Sequence, residues 1–278
     1  MVCDGMGGHE KGEVASRLVG ETISAYFARS EESVIDDTLL GHAIDEAFDQ
    51  LNSVSTDDSL RRMGTTLALV CFHRGGCTMA HIGDSRIYHI RPSERRIIYK
   101  SRDHSLVYDL LMAREITIDE IRTHPKKNVI THALMPDMEE RPTASIAHTA
   151  DIQAGDCFYL CSDGMLEKMT DDELIEVLFP ERSIEEKRIA LISATTDNAD
   201  NHSALLIYVA EVEKEDGDSE LLTDENSVKS NAVNLERKIL HDDDDDNVSD
   251  VWYSFYILKY VLGMTVGILF VLLMLSRC

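Results

Sequence analysis

The chain has 278 residues, with 51 Asp+Glu against 27 Lys+Arg for a formal charge of −24, and 44% of it is hydrophobic. That length suits one large domain or two small ones with a real core, and the acid excess argues against a nucleic-acid backbone or an anionic lipid surface as the main partner. The charge is uneven: residues 1–210 carry 36 acids and 21 bases, residues 211–250 carry 15 acids and 4 bases, and residues 251–278 hold no acid and only Lys259 and Arg277.

The N-terminus shows no basic or apolar run of the signal-peptide kind. Two amphipathic helices come first. Val14, Leu18, Ile23, Tyr26 and Phe27 make one apolar stripe, and Leu39, Leu40, Ala43, Ile44, Ala47, Phe48 and Leu51 make the next. Strand patterns follow at Thr65–His73, Cys77–Ile82, Arg86–Ile90 and Arg96–Lys100, the first two separated by the turn signal Arg74-Gly75-Gly76. Helical periodicity returns at Ser105–Ala113 and Thr117–Thr123. Strands are expected at Thr143–His148 and Asp156–Cys161, helices at Asp171–Leu178 and Ile184–Ala194, and a last strand at Ser203–Ala210. This order describes an α+β layered domain with helices on antiparallel sheets.

Residues 211–250 have few apolar side chains and include the run Asp242–Asp246. Such a composition cannot offset its ordering entropy, which predicts a disordered, acidic linker, with one or two helical turns at Val233–Leu240. The Asp run lacks the glycine turn and distal Glu of a calcium loop and reads as a solvated tether. From Trp252 to Leu275 the chain is apolar apart from Lys259 and small polar residues, long enough for a single C-terminal transmembrane helix. Trp252, Tyr253, Tyr256 and Tyr260 gather at one end as interfacial aromatics do. The expected organisation is therefore a domain over 1–210, a linker over 211–250 and an anchor over 251–278. The six cysteines include no Cys-x-x-Cys pair and read as reduced thiols of a cytosolic domain.

Several aspartates sit beside glycine at strand ends: Asp4-Gly5 with Gly7-Gly8 behind them, Gly83-Asp84 and Asp163-Gly164, with Asp200-Asn201 leading into the last strand. One Asp-Gly means a turn. Four or five spread along the chain fit an oxygen-rich site for hard divalent cations, Mg²⁺ or Mn²⁺, and no Cys/His set accompanies them to favour zinc.

The strings CDGMGGHEKGEVAS (3–16), MGTTLAL (63–69), AHIGDSRIY (80–88), SRDHSLV (101–107), HPKKNVITHAL (124–134), AGDCFYLCSDGM (154–165) and DNHSALLI (200–207) resemble, in order, the metal-dependent PP2C/PPM serine/threonine phosphatases, the bacterial branch most closely. The resemblance spans residues 2 to about 210. It implies a four-layer α-β-β-α sandwich of antiparallel sheets flanked by helices. It also implies hydrolysis of phosphoserine and phosphothreonine in proteins by a water activated between two cations, with no phospho-enzyme, so that Cys3 is no nucleophile. By motif, Asp4 resembles the carboxylate that bridges two metals and Gly5 the carbonyl ligand of one. Asp163 and Asp200 resemble the remaining carboxylates, which makes Asp4, Asp163 and Asp200 the catalytic set. A third, looser metal position would draw on Asp84 and Asp163, and Glu167 stands where many members have Asp.

Asp197-Asn198 competes with Asp200-Asn201, and the spacing to Ser203 favours Asp200. His9 either acts near the site or packs the start of the first helix. Asp103-His104 reads as a helix N-cap and polar turn. Arg86 is expected to orient Asp84 or neighbouring carbonyls. Met6 replaces the His that many animal members carry as a proposed general acid. The family's first hairpin, with a phosphate-clamping Arg and an Arg-x-x-Asn-x-Asp motif, has no counterpart before Asp4 in the sequence given. Two expectations compete on this point: an upstream start that restores it, or a truncated pseudo-phosphatase that binds phosphoproteins or a kinase without turnover. Together with Arg237, Lys238 and Lys259 ahead of most of the span and Arg277 behind it, the reading is a single-pass protein of a bacterial inner membrane. Its phosphatase domain would be cytoplasmic and would oppose a cognate Ser/Thr kinase.

Overall fold

The computed structural model describes residues 1–6, 9–55, 62–179, 181–198, 200–212, 251–262 and 266–277. The side chains of 9, 10 and 251–277 lie outside what is described, as do residues 213–250, with most of the expected linker and its Val233–Leu240 patch.

Helix α1 (His9–Arg29) buries Ala15, Val19 and Ile23, spaced four residues apart. Asp36 opens α2 (Asp37–Val54) by accepting the Leu39 N–H at 2.8 Å, a side-chain cap of the helix. The α2 face formed by Leu40, Ala43, Ile44, Ala47, Phe48 and Leu51 is buried. These stripes pack on Met63, Leu67, Leu69, Ala80 and Ile82, which belong to the strands β3 (Leu67–His73) and β4 (Gly76–Ile82) and the approach to them. The sheet on this side runs β3-β4-β7, with β7 at Ser145–Thr149. The first residues of the chain extend it: Val2 bridges Ala68, and β1 (Gly5–Met6) pairs with β2 (Gly64–Thr65).

The second sheet is antiparallel and contains β5 (Arg86–Arg91), β6 (Arg96–Lys100), β8 (Cys157–Cys161) and β9 (His202–Val209) in the order β9-β8-β5-β6. Val2, Ala68, Cys77, Met79, Ile87, Phe158, Leu160, Ile207 and Val209 fill the space between the sheets. On the outer face, Tyr88, Tyr159 and Cys161 pack against Met165, Met169, Leu174 and Leu191 around α4 (Asp171–Val177) and α5 (Ile184–Thr195). Each of these helices starts with a reciprocal capping box, Thr170 with Glu173 and Ser183 with Glu186. The layers are therefore helix, sheet, sheet, helix, in the α+β arrangement expected. The helix expected at Ser105–Ala113 is α3 (Leu106–Met112), and the one at Thr117–Thr123 is a 3₁₀ turn over Ile118–Thr123.

The C-terminal apolar stretch takes a form other than the one expected. The stretch read as a single transmembrane helix forms two antiparallel strands, β10 (Val251–Leu262) and β11 (Val266–Arg277), and β11 pairs with β9 along the sheet edge. No helix among the described residues is long and apolar enough to cross a membrane. The physical reason is local. Val251, Ile257, Val261, Val266, Ile268 and Val271 are β-branched and interleaved with aromatics, a composition suited to a pleated sheet. The outer edge of β9 would otherwise present unpaired backbone groups.

Cys3 and Cys71 are half-buried and Cys77, Cys157 and Cys161 buried, all as free thiols. Burial pushes the Cys3 thiol up to about 11, far from thiolate chemistry at neutral pH.

Candidate metal centre

The two sheets converge at one end, and each carboxylate arrives there on a different element. Asp4 precedes β1. Its backbone is held on both sides: its N–H donates to Thr66 Oγ1 at 3.0 Å, and its carbonyl accepts from the Thr66 N–H at 2.9 Å and from Thr65 Oγ1 at 3.0 Å. Asp84 sits in the turn that carries the chain from β4 in one sheet to β5 in the other. Gly83 takes φ +97° there, and a Cβ on it would lie 2.7 Å from Thr66 Cγ2, so the turn requires glycine for both conformation and space. Asp163 begins the 3₁₀ turn after β8, and Asp200 precedes β9. The last two are laced together. The Ser162 N–H donates to the Ser203 carbonyl (2.9 Å), the Ser203 N–H donates to Ser162 Oγ (3.0 Å), and Asn198 Nδ2 donates to the Gly164 carbonyl (2.6 Å). Gly164 lies so close to the Asn201 carbonyl that any Cβ would collide with it.

Asp4, Gly5, Asp84, Asp163 and Asp200 line one cleft of about 250 Å³. Asp84, Asp163 and Asp200 also line an adjoining one of about 420 Å³, which reaches Glu167. Asp197 lines neither; it is exposed, and its carbonyl takes the Lys168 ammonium. Five of the six site residues expected from the sequence thus share the inner cleft, with Glu167 at the exposed rim of the outer one. Met6 lines the inner cleft as well, and its thioether has no proton to give. The His9 side chain lies outside the described residues.

The carboxylates strain against one another. Burial, then the charges of Asp163 and Asp200 and a hydrogen bond with Asp163, push the Asp4 carboxyl up to about 7. Burial, then Asp163 and Asp103, push Asp84 up to about 7 as well. Asp163 is raised by burial and by Asp200. Such a set disfavours its own ionisation until positive charge enters. The donors are oxygens only, carboxylates and the Gly5 carbonyl, which fits Mg²⁺ or Mn²⁺. Among the described residues no three His, Cys, Asp or Glu side chains already close on one point.

Two expectations around this centre are revised. Arg86 does not orient Asp84: it makes a double hydrogen bond to Asp103, Nε to Oδ1 and Nη2 to Oδ2, both at 2.6 Å, and Nη1 donates to the Tyr88 hydroxyl at 3.3 Å. Asp103 is consequently not a helix cap; Ser105 holds that position, without a side-chain cap bond. A fork of two parallel N–H donors matches a carboxylate better than scattered carbonyls, which is why the ion pair wins. His104 in turn fastens the Asp84 turn, since its N–H donates to the Gly83 carbonyl (2.9 Å) and its Nδ1 accepts the Gly83 N–H (3.2 Å). Residues not singled out from the sequence also line the clefts: Asn128 both of them, and Arg122 and Lys127 the outer one. Their only sequence signal is the string around Lys126-Lys127-Asn128, which has no periodicity to mark it.

Fold and site together define a phosphatase built on paired antiparallel sheets with an acidic centre at the sheet ends. Residues 1–191 match the protein phosphatase 2C family, and the chain belongs to that family and is a protein serine/threonine phosphatase. It is 30% identical over 213 residues to the serine/threonine phosphatase stp of Listeria welshimeri, covering 74% of this chain and 82% of that protein. It is 34% identical over 217 residues to the serine/threonine protein phosphatase PstP of Mycobacterium tuberculosis, covering 76% of this chain and 40% of PstP. Among solved structures, the Streptococcus agalactiae serine/threonine phosphatase superposes with a TM-score of 0.65 at 27% identity, over 73% of this chain and 84% of that one. The PstP catalytic domain in complex with two manganese ions gives 0.60 at 29% identity, over 73% and 84%.

Proposed function

We propose that this chain hydrolyses phosphoserine and phosphothreonine in proteins with two divalent cations, Mn²⁺ or Mg²⁺. Asp4, the Gly5 carbonyl, Asp163 and Asp200 would hold them. Asp84 with Asp163 would supply a looser third position, and Glu167 stands at its rim. The observation that carries this is the convergence of Asp4, Asp84, Asp163 and Asp200 on one cleft, with Asp4 and Asp84 each pushed up to about 7 by burial and by neighbouring carboxylates. Cations bound there supply the charge that activates water and offsets charge developing on a phosphoryl group.

The chain's own residues do the rest. The Thr65-Thr66 pair fixes Asp4, and the Ser162–Ser203 and Asn198–Gly164 bonds fix Asp163 beside Asp200. The outer cleft gives a phosphorylated side chain an approach past Arg122 and Lys127. Because Arg86 is occupied by Asp103, it acts on the cleft wall and not on the phosphate. The test is phosphate release from a phosphothreonine peptide by the full chain, with Mn²⁺ and after chelation. Turnover that needs Mn²⁺ and falls at least a hundredfold in Asp163→Asn is expected; peptide capture without release would favour the binding-module reading.

The acid-free residues 251–278 support a second element of the proposal, attachment at the inner face of a bacterial membrane where a kinase's products would be met. Pairing with β9 is the competing placement. Fractionation of cells expressing the full chain decides, since release into the soluble fraction would remove the membrane reading.

A further inference from the structure

The Thr66 side chain bonds the Asp4 backbone and also touches the turn that carries Asp84. Its Oγ1 accepts the Asp4 N–H at 3.0 Å and lies 2.6 Å from Ser85 Oγ, and the two residues are 1% and 0% exposed. Its methyl side sits against Gly83, so closely that a Cβ on that glycine would meet Thr66 Cγ2 at 2.7 Å. Asp4 is hydrogen-bonded to Thr66, which leads into β3, whereas Ser85 leads directly into β5 of the other sheet. The hydroxyl pair therefore ties together two carboxylate-bearing segments whose own hydrogen bonds run in different sheets.

We infer that the Thr66–Ser85 hydroxyl pair is a positioning device that sets the separation of Asp4 and Asp84 and thereby the cation affinity of the centre. The inference rests on the reading that these carboxylates hold divalent cations. Both residues are buried, so each hydroxyl leans on the other, and Oγ1 of Thr66 also satisfies the Asp4 N–H. Substituting either residue frees one loop to relax away from the other, because four mutually repelling carboxylates drive the segments apart. Partners behind metal ligands typically alter affinity by about 10–100-fold.

Thr66→Val keeps the methyl contact with Gly83 and removes the hydroxyl; Thr66→Ser keeps the hydroxyl; Ser85→Ala removes only the link. Calorimetric titration of the full-length chain with Mn²⁺ is expected to show about 10–100-fold weaker binding in Thr66→Val and Ser85→Ala, with near-wild-type binding in Thr66→Ser. Steady-state assays are expected to show the Mn²⁺ requirement rising while kcat at saturating Mn²⁺ recovers, a split that general loss of packing would not produce. Ser85→Ala carries the test alone if Thr66→Val does not fold. Wild-type binding matched by both variants overturns the inference and leaves the cation reading standing. A wild-type chain that binds no Mn²⁺ overturns the cation reading and this inference with it.

Discussion

Arg86 and Asp103 meet in a double hydrogen bond, 2.6 Å on each arm, in the wall of the outer cleft beside Asp84. The side chains are 18% and 10% exposed, so water does little to screen the pair. Replacing Arg86 by Met would leave Asp103 uncompensated beside Asp84 and Asp163, both of which its charge already raises. Removing one partner of a buried pair costs about 3–5 kcal/mol. Urea unfolding of Arg86→Met should show a loss in that range at pH 7, and Asp103→Asn combined with Arg86→Met should recover part of it. Equal loss in the single and double variants would contradict the coupling.

Gly164 offers a sharper test of site geometry than of stability. A Cβ there meets the Asn201 carbonyl, which sits next to Asp200 and cannot yield without moving it. Gly164→Ala should therefore lower kcat/KM at least tenfold. Gly20 and Gly41 lie inside α1 and α2 with nothing within 4 Å of an added Cβ. Gly20→Ala and Gly41→Ala should each stabilise the fold by about 0.5–1 kcal/mol without changing turnover. Thermal melts and phosphatase assays on the three variants check both halves.

The layer order was legible in the sequence because its signals are local. The stripe from Leu40 to Leu51 on α2 and the turn at Gly75-Gly76 between β3 and β4 act within a few residues, and the structure follows them. The aspartates of the centre were legible because each is marked by a neighbouring glycine or asparagine that the close backbone approach requires. Arg86–Asp103 was not, since the partners are 17 residues apart and meet only when β5 and the end of β6 lie side by side. Thr66 was visible only as part of a string; its link to Ser85 depends on how two sheets are stacked. The run from 252 to 275 is less decisive, because apolar β-branched residues suit a membrane helix and a sheet-edge strand alike.

Asp197 and Asp200 have the same Asp-Asn sequence context and opposite placements. Asp200 lines both clefts and accepts the Asn201 N–H at 2.8 Å through one oxygen. Both are exposed, but Asp197 lines neither cleft. Asp200→Asn should reduce Mn²⁺-dependent turnover at least a hundredfold, and Asp197→Asn should leave it within twofold. Parallel assays at saturating Mn²⁺ distinguish the two, and the reverse ranking would move the ligand role to Asp197.

Cation affinity and the stability of the cation-free fold should change with pH in opposite senses. Asp4 and Asp84 are each pushed up to about 7 in the cation-free fold, against ordinary carboxyls near 3.8 in the unfolded chain. Between these limits the folded state holds protons that the unfolded state has released, so stability falls as pH rises from about 4 to about 7 and levels off above. Cation binding needs both groups ionised and expels those protons, so Mn²⁺ affinity should rise with pH through the same interval. Chelated protein should melt at a higher temperature at pH 6 than at pH 8. Saturating Mn²⁺ should raise the melting temperature more at pH 8 than at pH 6. Asp4→Asn should flatten the pH dependence of the chelated form. A stabilisation by Mn²⁺ that is equal at the two pH values would show that Asp4 and Asp84 do not exchange protons for the cation.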